Sequence, residues 1–325
     1  MNHSLSNLPC KLPARSPSGH KGDFGHVLSI CGSERYQGAA VLAALGAVHS
    51  GAGMVTAAFP RAAYAPIAAK LTVTPLLPLP GNRQGTLRVS AMQDLRAALP
   101  GKSAVLLGCG LGLNADTIAL TELLLREVEA PLVLDADALN AIARINGVNS
   151  PTSLALVPPQ ETSYLPLCGI NSGGAHMNGT DILNSRVCDR PVLTPHMGEM
   201  SRLCGVSVEE LQQNSMRFAR AFAQKYGVVL VLKSAQTIVA GAGEGEVWTC
   251  PFPPNSGLAK AGSGDLLAGM IASLLAQGMQ PYDAAVCGVY LHALAAARTA
   301  ERLSASGMTA LDCVEELKRM AIDGG

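Results

Sequence analysis

Apolar residues in this chain fall into short blocks that alternate with small-residue stretches at helical spacing. Val27-Leu28-Ser29-Ile30-Cys31 reads as a buried strand, ended by Gly32-Ser33. Residues 38–50 (GAAVLAALGAVHS) predict a helix of small residues, stopped by Gly51-Ala52-Gly53, and residues 54–59 the next strand. This is a β-α-β unit, the crossover that builds open parallel sheets. Further along, residues 71–74 are expected as a strand and 90–99 as a helix. Strands follow at 104–107 and 131–134, with a helix over 116–129 between them.

Residues 146–190 break the pattern. They are rich in Ser, Asn, Gly and Pro and carry no sustained periodicity. A loop of that length is uncommon inside a compact domain, so the stretch is expected to be a surface insertion. A strand at 191–194 and a short helix to Gly205 come next. Ser207-Val208-Glu209-Glu210 then predicts a capped helix running to Gly227. Residues 228–232 predict a central strand, and 238–250 a β-hairpin. The apolar run ending at Gly278 predicts a helix beginning near Gly262. Residues 283–298 predict a buried helix, and 310–320 a surface one.

Composition narrows the function classes. Lys plus Arg equals Asp plus Glu at 24 each, so no basic surplus exists to grip nucleic acid or an anionic membrane. Aromatics are only 4%, against 34 glycines, which suits backbone close to ligands rather than aromatic stacking. Nine cysteines lie scattered without a CxxC pair and are expected as buried thiols. The N-terminus has no apolar signal-like core, and residues 1–20 are expected as a flexible tail ahead of a single domain, 21–325. The longest uncharged apolar run, 266–279, is too short and glycine-interrupted to span a bilayer.

Candidate chemistry gathers at strand ends. Gly110 and Gly112 follow one strand, Asp135 and Asp137 another, His196 a third and Lys233 a fourth. In a parallel sheet these ends share one edge, the usual site edge. Gly262-Ser263-Gly264-Asp265 opens a helix whose free N–H groups would attract an anion. Each feature also has a plain structural reading. Glycines permit tight packing, His196 can be a structural histidine, the acids can cap helices, Lys233 can be a solvated charge, and Ser, Gly and Asp are ordinary capping residues. The turn at 32–38 is not GxGxxG, so no dinucleotide fingerprint is present.

The ordered set HKGDFGHVL (20–28), GAAVLAALGAVHSGAG (38–53), LGCGLG (107–112), VLDADALN (133–140), LTPHMGE (193–199), VLKSAQT (231–237) and NSGLAKAGSGD (255–265) resembles the ADP/ATP-dependent NAD(P)H-hydrate dehydratase family, of ribokinase-like fold. The resemblance covers most of the chain and implies an α/β protein with an open, mainly parallel sheet and helices on both faces. It implies dehydration of (S)-NADHX or NADPHX to the reduced dinucleotide, coupled to cleavage of ADP, giving AMP and phosphate, or of ATP, with Mg²⁺ as the metal. By the same resemblance Asp265 is the acid/base residue and Gly262 to Gly264 form the anion hole. Ala39, Gly110, Gly112, Leu113, His196 and Asp265 would meet the hydrated dinucleotide. Lys233, Ser234, Ala235, Gln236, Thr237 and Gly264 would bind the adenine nucleotide, and Asn255 would help arrange phosphate and metal; no metal-ligand set is assigned. A cytoplasmic homo-oligomer, often a tetramer, is implied as well, with no nucleic-acid or membrane partner.

The chain departs from the family pattern at Cys109 and Met197, where the family often has Pro, and in the 146–190 insertion. Two rival readings share the same motifs: a small-molecule kinase of the same fold, for a vitamin precursor or sugar, and an inactive nucleotide-binding protein. The LTPHMGE and LGCGLG elements favour the dehydratase over the first, and intact Asp265, His196 and Lys233 over the second.

Overall fold

The computed structural model describes residues 5–147 and 182–320. Most of the expected insertion therefore lies outside the described residues. Its two ends meet: the Ile182 N–H donates to Asn146 Oδ1 at 3.1 Å, and Ile182 and Leu183 are buried.

The first half of the chain supplies β1 (His26–Ile30), α1 (Gln37–His49), β2 (Met54–Pro60), α2 (Tyr64–Ala68), β3 (Leu76–Leu79), α3 (Met92–Ala98), β4 (Ala104–Leu107), α4 (Ala115–Glu127), β5 (Leu132–Leu134) and α5 (Asp137–Ile145). The second supplies β6 (Val192–Leu193), α6 (Met197–Cys204), α7 (Val208–Gln213), α8 (Ser215–Tyr226), β7 (Val229–Leu232), β8 (Ile238–Ala240), β9 (Val247–Thr249), α9 (Ser263–Ala276), α10 (Pro281–Gly307) and α11 (Ala310–Arg319). Together the strands form one sheet of order β3-β2-β1-β4-β5-β6-β7-β8-β9. Pairing is parallel from β3 to β7 and antiparallel for β7–β8 and β8–β9. The chain winds outward from β1 to β3, then returns to place β4 on the other side of β1. That reversal is a topological switch point, and ligands of open α/β sheets bind outside the carboxyl ends of the strands there.

Side-chain alternation divides the core into two layers. Val27, Ala57, Leu106, Val133 and Val229 face α1, α9, α10 and α11. Leu28, Val105, Leu132, Leu193 and Leu230 face the layer of α3 to α8. Helix α9 is apolar on every side because it is covered on every side: each residue from Leu266 to Ala276 is buried. Its contact with α1 is backbone to backbone. A Cβ on Gly269 would lie 2.0 Å from the Ala43 carbonyl oxygen, and one on Gly46 would lie 2.4 Å from that of Leu266. The run of small residues in α1 thus sets how closely the two helices pack.

Three expectations need correction. Residues 71–74 are not a strand; β3 lies at Leu76–Leu79 and contains Pro78. A proline argues against a strand by sequence, yet β3 is an edge strand, where a missing N–H costs no ladder bond. The helix expected to run from Ser207 to Gly227 is two helices, broken where Asn214 leaves helical geometry (φ −133°, ψ 29°), although the Ser207 hydroxyl does accept from the Glu210 N–H. Finally, Cys10 and Cys287 are joined as a disulfide rather than standing as separate buried thiols, because the N-terminal segment lies against the start of α10 (Cα–Cα 6.2 Å). Arg15 also holds this segment, donating to the Gly51 carbonyl at 2.9 Å and lying 3.9 Å over the Phe24 ring. Among the described residues six further cysteines are free and buried, as expected.

Candidate active site

Helix α9 begins under tight steric control. Gly262, its N-cap, has φ +92°, a conformation that calls for glycine, while a Cβ there would meet only the movable end of Leu42, Cδ1 at 2.2 Å. Glycine brings no capping side chain. The N–H groups of Gly264 and Asp265 donate to no protein acceptor among the described residues. They stand at the positive end of a 14-residue helix dipole, a setting built for an anion.

Below this turn lies a compact polar cluster. Asp265 (first turn of α9), Asp135 (end of β5) and Cys109 (end of β4) place a carboxylate oxygen each and Sγ within 4.8 Å of one another. Lys233, at the end of β7, donates to Asp135 Oδ1 at 2.7 Å. A Cβ on Gly264 would lie 3.1 Å from Lys233 Nζ, so the ammonium packs against the cradle backbone itself. Burial works against the lysine's charge, but the carboxylates of Asp135 and Glu199 outweigh it and hold its pKa above the ordinary value. Asp265 goes the other way. Burial first, then the negative charge of Asp135, pushes its pKa up to about 6, with Lys233 and the nearby Cys109 thiol opposing; that thiol donates to Asp135 Oδ2 at 3.6 Å. Cys109 is itself held as a neutral thiol, its pKa raised by a hydrogen bond with Cys31, by burial and by the nearby carboxylates.

The loops after β1 and β4 meet at the switch point. Gly32 N–H donates to the Cys109 carbonyl at 2.7 Å and Ser33 Oγ to the Gly110 carbonyl at 2.8 Å. A Cβ on Gly110 would lie 2.7 Å from the Cβ atoms of both Ala39 and Tyr36, so these three residues form one surface. Gly112 donates to Asp137 Oδ2 at 2.8 Å, and Leu113 is exposed beside it. Burial raises the pKa of Asp137 despite that bond. Between the two acids Ala136 adopts φ +50°, an uncommon conformation for alanine that turns the chain sharply between β5 and α5.

His196 caps α6. Its Nδ1 accepts from the N–H groups of Gly198 (2.9 Å) and Glu199 (3.3 Å), while the Glu199 carboxylate accepts from the His196 N–H at 2.8 Å. With Nδ1 an acceptor, the proton of the neutral ring sits on Nε2. Burial and the charges of Lys233 and Arg202 lower its pKa, favouring that neutral form. The backbones of His196 and Lys233 bridge, which ties the cap to the cluster. After Lys233 the chain makes an exposed turn in which Ser234 Oγ donates to the Gln236 carbonyl at 2.7 Å and the Thr237 hydroxyl to the Ser234 carbonyl at 3.5 Å.

The structure therefore brings Asp265, Gly264, Lys233 and His196 together, and joins Ala39 to the Gly110–Gly112 loop. Asn255 stands apart from this group: its Oδ1 accepts from the Gly257 N–H and its Nδ2 donates to the Ala296 carbonyl, so the amide ties the approach loop to α10. Three residues of the site carry no mark in the sequence reading. Cys109 stands there only as a loop departure. Glu199, 5% exposed with its pKa pushed to about 7 mainly by burial, lies within the matched LTPHMGE segment without a role. His292 is hidden in an apolar helix, its Nε2 3.4 Å from Ser263 Oγ. The capping-box spacing from His196 to Glu199 is the one signal that could have found any of them.

Comparison with known proteins identifies the family. The profile of the NAD(P)H-hydrate dehydratase family matches residues 27–184 and 170–319. The chain is 36% identical over 307 residues to the bifunctional NAD(P)H-hydrate repair enzyme of Moorella thermoacetica, covering 94% of this chain and 51% of that one. It is 32% identical over 297 residues to the ADP-dependent (S)-NAD(P)H-hydrate dehydratase of Neisseria meningitidis serogroup B, covering 91% and 84%. The crystal structure of the ADP/ATP-dependent NAD(P)H-hydrate dehydratase from Bacillus subtilis, co-crystallized with ATP/Mg²⁺, superposes with a TM-score of 0.72 at 27% identity, covering 98% of this chain and 96% of that one. The sheet order and the glycine cradle at its carboxyl edge define a ribokinase-like α/β protein. Within that class the chain belongs to the NAD(P)H-hydrate dehydratase family. It spans about half the length of the bifunctional relatives it matches.

Proposed function

We propose that this chain dehydrates (S)-NADHX and (S)-NADPHX to NADH and NADPH, coupled to cleavage of ADP to AMP and phosphate or of ATP. The observation that carries the reading is Asp265, a carboxylate with a pKa of about 6, in the first turn of a helix whose leading amides are free. In this reading Asp265 takes the proton of the substrate's ring hydroxyl as that oxygen attacks the terminal phosphorus of the nucleotide. The Gly264 and Asp265 N–H groups donate to the phosphoryl oxygens, and the helix dipole offsets their charge. Phosphate is a far better leaving group than hydroxide, so electrons from the ring nitrogen then expel it, and loss of a proton from the neighbouring ring carbon of the resulting iminium restores the dihydronicotinamide.

Lys233 and the turn through Ser234, Ala235, Gln236 and Thr237 would take the adenine nucleotide with Gly264. Ala39, Gly110, Gly112, Leu113 and His196 would take the hydrated dinucleotide at the switch point, with His196 Nε2–H as a donor. Asn255 would act from behind, by holding the approach to Gly262. The donor set suits Mg²⁺ arriving on the nucleotide phosphates rather than held by the chain. A thiol is a poor partner for a hard ion, and Asp135 is already engaged by Lys233. When bound, the ion neutralises phosphate charge. We extend the reading to a single domain over residues 21–325 and to a cytoplasmic homo-oligomer, as the family resemblance implies. Among the described residues no helix is long and apolar enough to cross a membrane. A reducing cytoplasm opposes the Cys10–Cys287 bond, so a count of free thiols in freshly lysed protein tests the location.

The deciding experiment is recovery of reduced-nicotinamide absorbance from (S)-NADHX with Mg²⁺ and either ADP, ATP or no nucleotide. Recovery only with a nucleotide is expected, and the better nucleotide identifies the donor. No recovery with nucleotide binding intact would overturn the reading.

A further inference from the structure

We propose that His292 is a positioning residue for the phosphoryl cradle, acting through Ser263; this rests on the dehydratase reading of Asp265 and the α9 amides. His292 lies on α10, 6% exposed, on a helix face it shares with the buried residues Gly288, Val289, Ala295 and Ala296. A histidine in an apolar layer carries a desolvation cost unless its ring nitrogens find partners. Its Nε2 meets the Ser263 hydroxyl at 3.4 Å, and Ser263 is itself buried.

The position of Ser263 gives the contact its meaning. It is the residue between Gly262, the left-handed N-cap, and Gly264, whose N–H donates to no protein acceptor among the described residues. A serine in the first turn of a helix ordinarily turns its hydroxyl outward, to water, to a free amide or to the bound anion. Here the hydroxyl is drawn back to α10. The peptide joining Ser263 to Gly264 carries one of the two free cradle amides, and the flanking glycines impose little restraint of their own. The His292–Ser263 contact supplies that restraint from behind. Burial and the charge of Lys233 push the imidazole pKa down to about 4, so the ring that holds Ser263 is neutral and leaves the charge balance to Lys233 and the carboxylates.

The test is a double-mutant cycle on the whole chain, with His292→Leu, Ser263→Ala and the double variant, plus His292→Gln to restore a polar group near the Nε2 position. Two readouts are used: calorimetric affinity for ADP, and kcat and KM for (S)-NADHX taken separately. We expect each single variant to lower kcat about tenfold with KM for the hydrate unchanged, and to weaken ADP binding severalfold. The double variant should lose no more than either single one, and His292→Gln should recover most of the loss. Additive losses, unchanged kcat and ADP affinity in Ser263→Ala, or no rescue by glutamine would overturn the proposal. A wild-type protein that binds ADP but turns over no hydrate would instead overturn the dehydratase reading, and the cycle read on ADP affinity would still decide His292.

Discussion

Lys233 Nζ sits 2.7 Å from Asp135 Oδ1, a bond that spans from the end of β7 to the end of β5 across the intervening β6 and passes directly beneath the first turn of α9. The Asp135 side chain is 2% exposed, and Lys233 is its salt-bridge partner. Lys233→Ala leaves a buried carboxylate unpaired and is expected to destabilise the fold by about 3–5 kcal/mol. It should also weaken ADP binding. Denaturant unfolding and calorimetry at a temperature where the variant is folded check the two effects separately. Unchanged ADP affinity would remove Lys233 from the nucleotide site.

Asp265→Asn should abolish turnover while leaving ADP affinity largely intact. Its stability should move in an unusual direction. The folded-state pKa of Asp265 is raised from 3.8 to about 6, so the folded protein holds this proton more tightly than the unfolded chain. The ionised group therefore disfavours folding, and stability from this site is lost as pH rises through roughly 4 to 6. Replacing it with a neutral amide is expected to stabilise the protein by about 1–2 kcal/mol at pH 7.5, with the gain vanishing below about pH 4. Urea midpoints at the two pH values test this. Equal stability of Asp265→Asn and wild type at pH 7.5 would contradict the buried, charge-crowded carboxylate.

A base must be ionised to accept a proton, so kcat/KM should fall as pH drops through about 6. The Cys109 thiol, which donates to Asp135 Oδ2 at 3.6 Å and lies within 4.8 Å of the Asp265 carboxylate, opposes the rise in the Asp265 pKa. Cys109→Ala removes that donor and should shift the acid limb of the pH–rate profile upward. An unmoved limb would mean that Asp265 is not the group being titrated.

Gly269 has no room for a methyl group, since its Cβ would lie 2.0 Å from the Ala43 carbonyl. Gly269→Ala must push α9 off α1 and is expected to cost about 2–3 kcal/mol, with activity falling in parallel. Gly38, near the start of α1, has nothing within 4 Å of its Cβ position. Gly38→Ala should be neutral or stabilise by up to about 1 kcal/mol. Thermal unfolding of the pair separates close approach from glycine's ordinary cost in a helix.

Much of this architecture was legible in sequence because the periods are clean. The β1-α1-β2 unit, the strand at Ala104–Leu107 and the closing helices follow directly from apolar spacing, and the strand-end residues share an edge because the sheet is parallel. Failures have local causes. Prolines at 75 and 78 masked β3, whose edge position removes their penalty. Asn214 broke a helix whose apolar face looked continuous. The site was legible where glycine and acid mark a turn, and illegible where chemistry depends on tertiary contact. Cys109 gains its role only by lying between Asp135 and Asp265, His292 only by meeting Ser263 across two helices, and Cys10 only by reaching Cys287 from 277 residues away.

The backbone contact between α1 and α9 divides the labour of the site. Helix α9 is braced at Gly269 by the Ala43 carbonyl, and α1 at Gly46 by that of Leu266, with no flexible side chain between them to absorb a shift. The cradle and Ala39 therefore belong to a single fixed jaw. The softer part is the exposed turn from Ser234 to Gln236, whose side-chain hydrogen bonds stay within the turn itself. Adjustment is expected to fall to that softer side: under the proposed function, the fixed side would keep the geometry at Asp265 while the exposed turn adapts to the nucleotide.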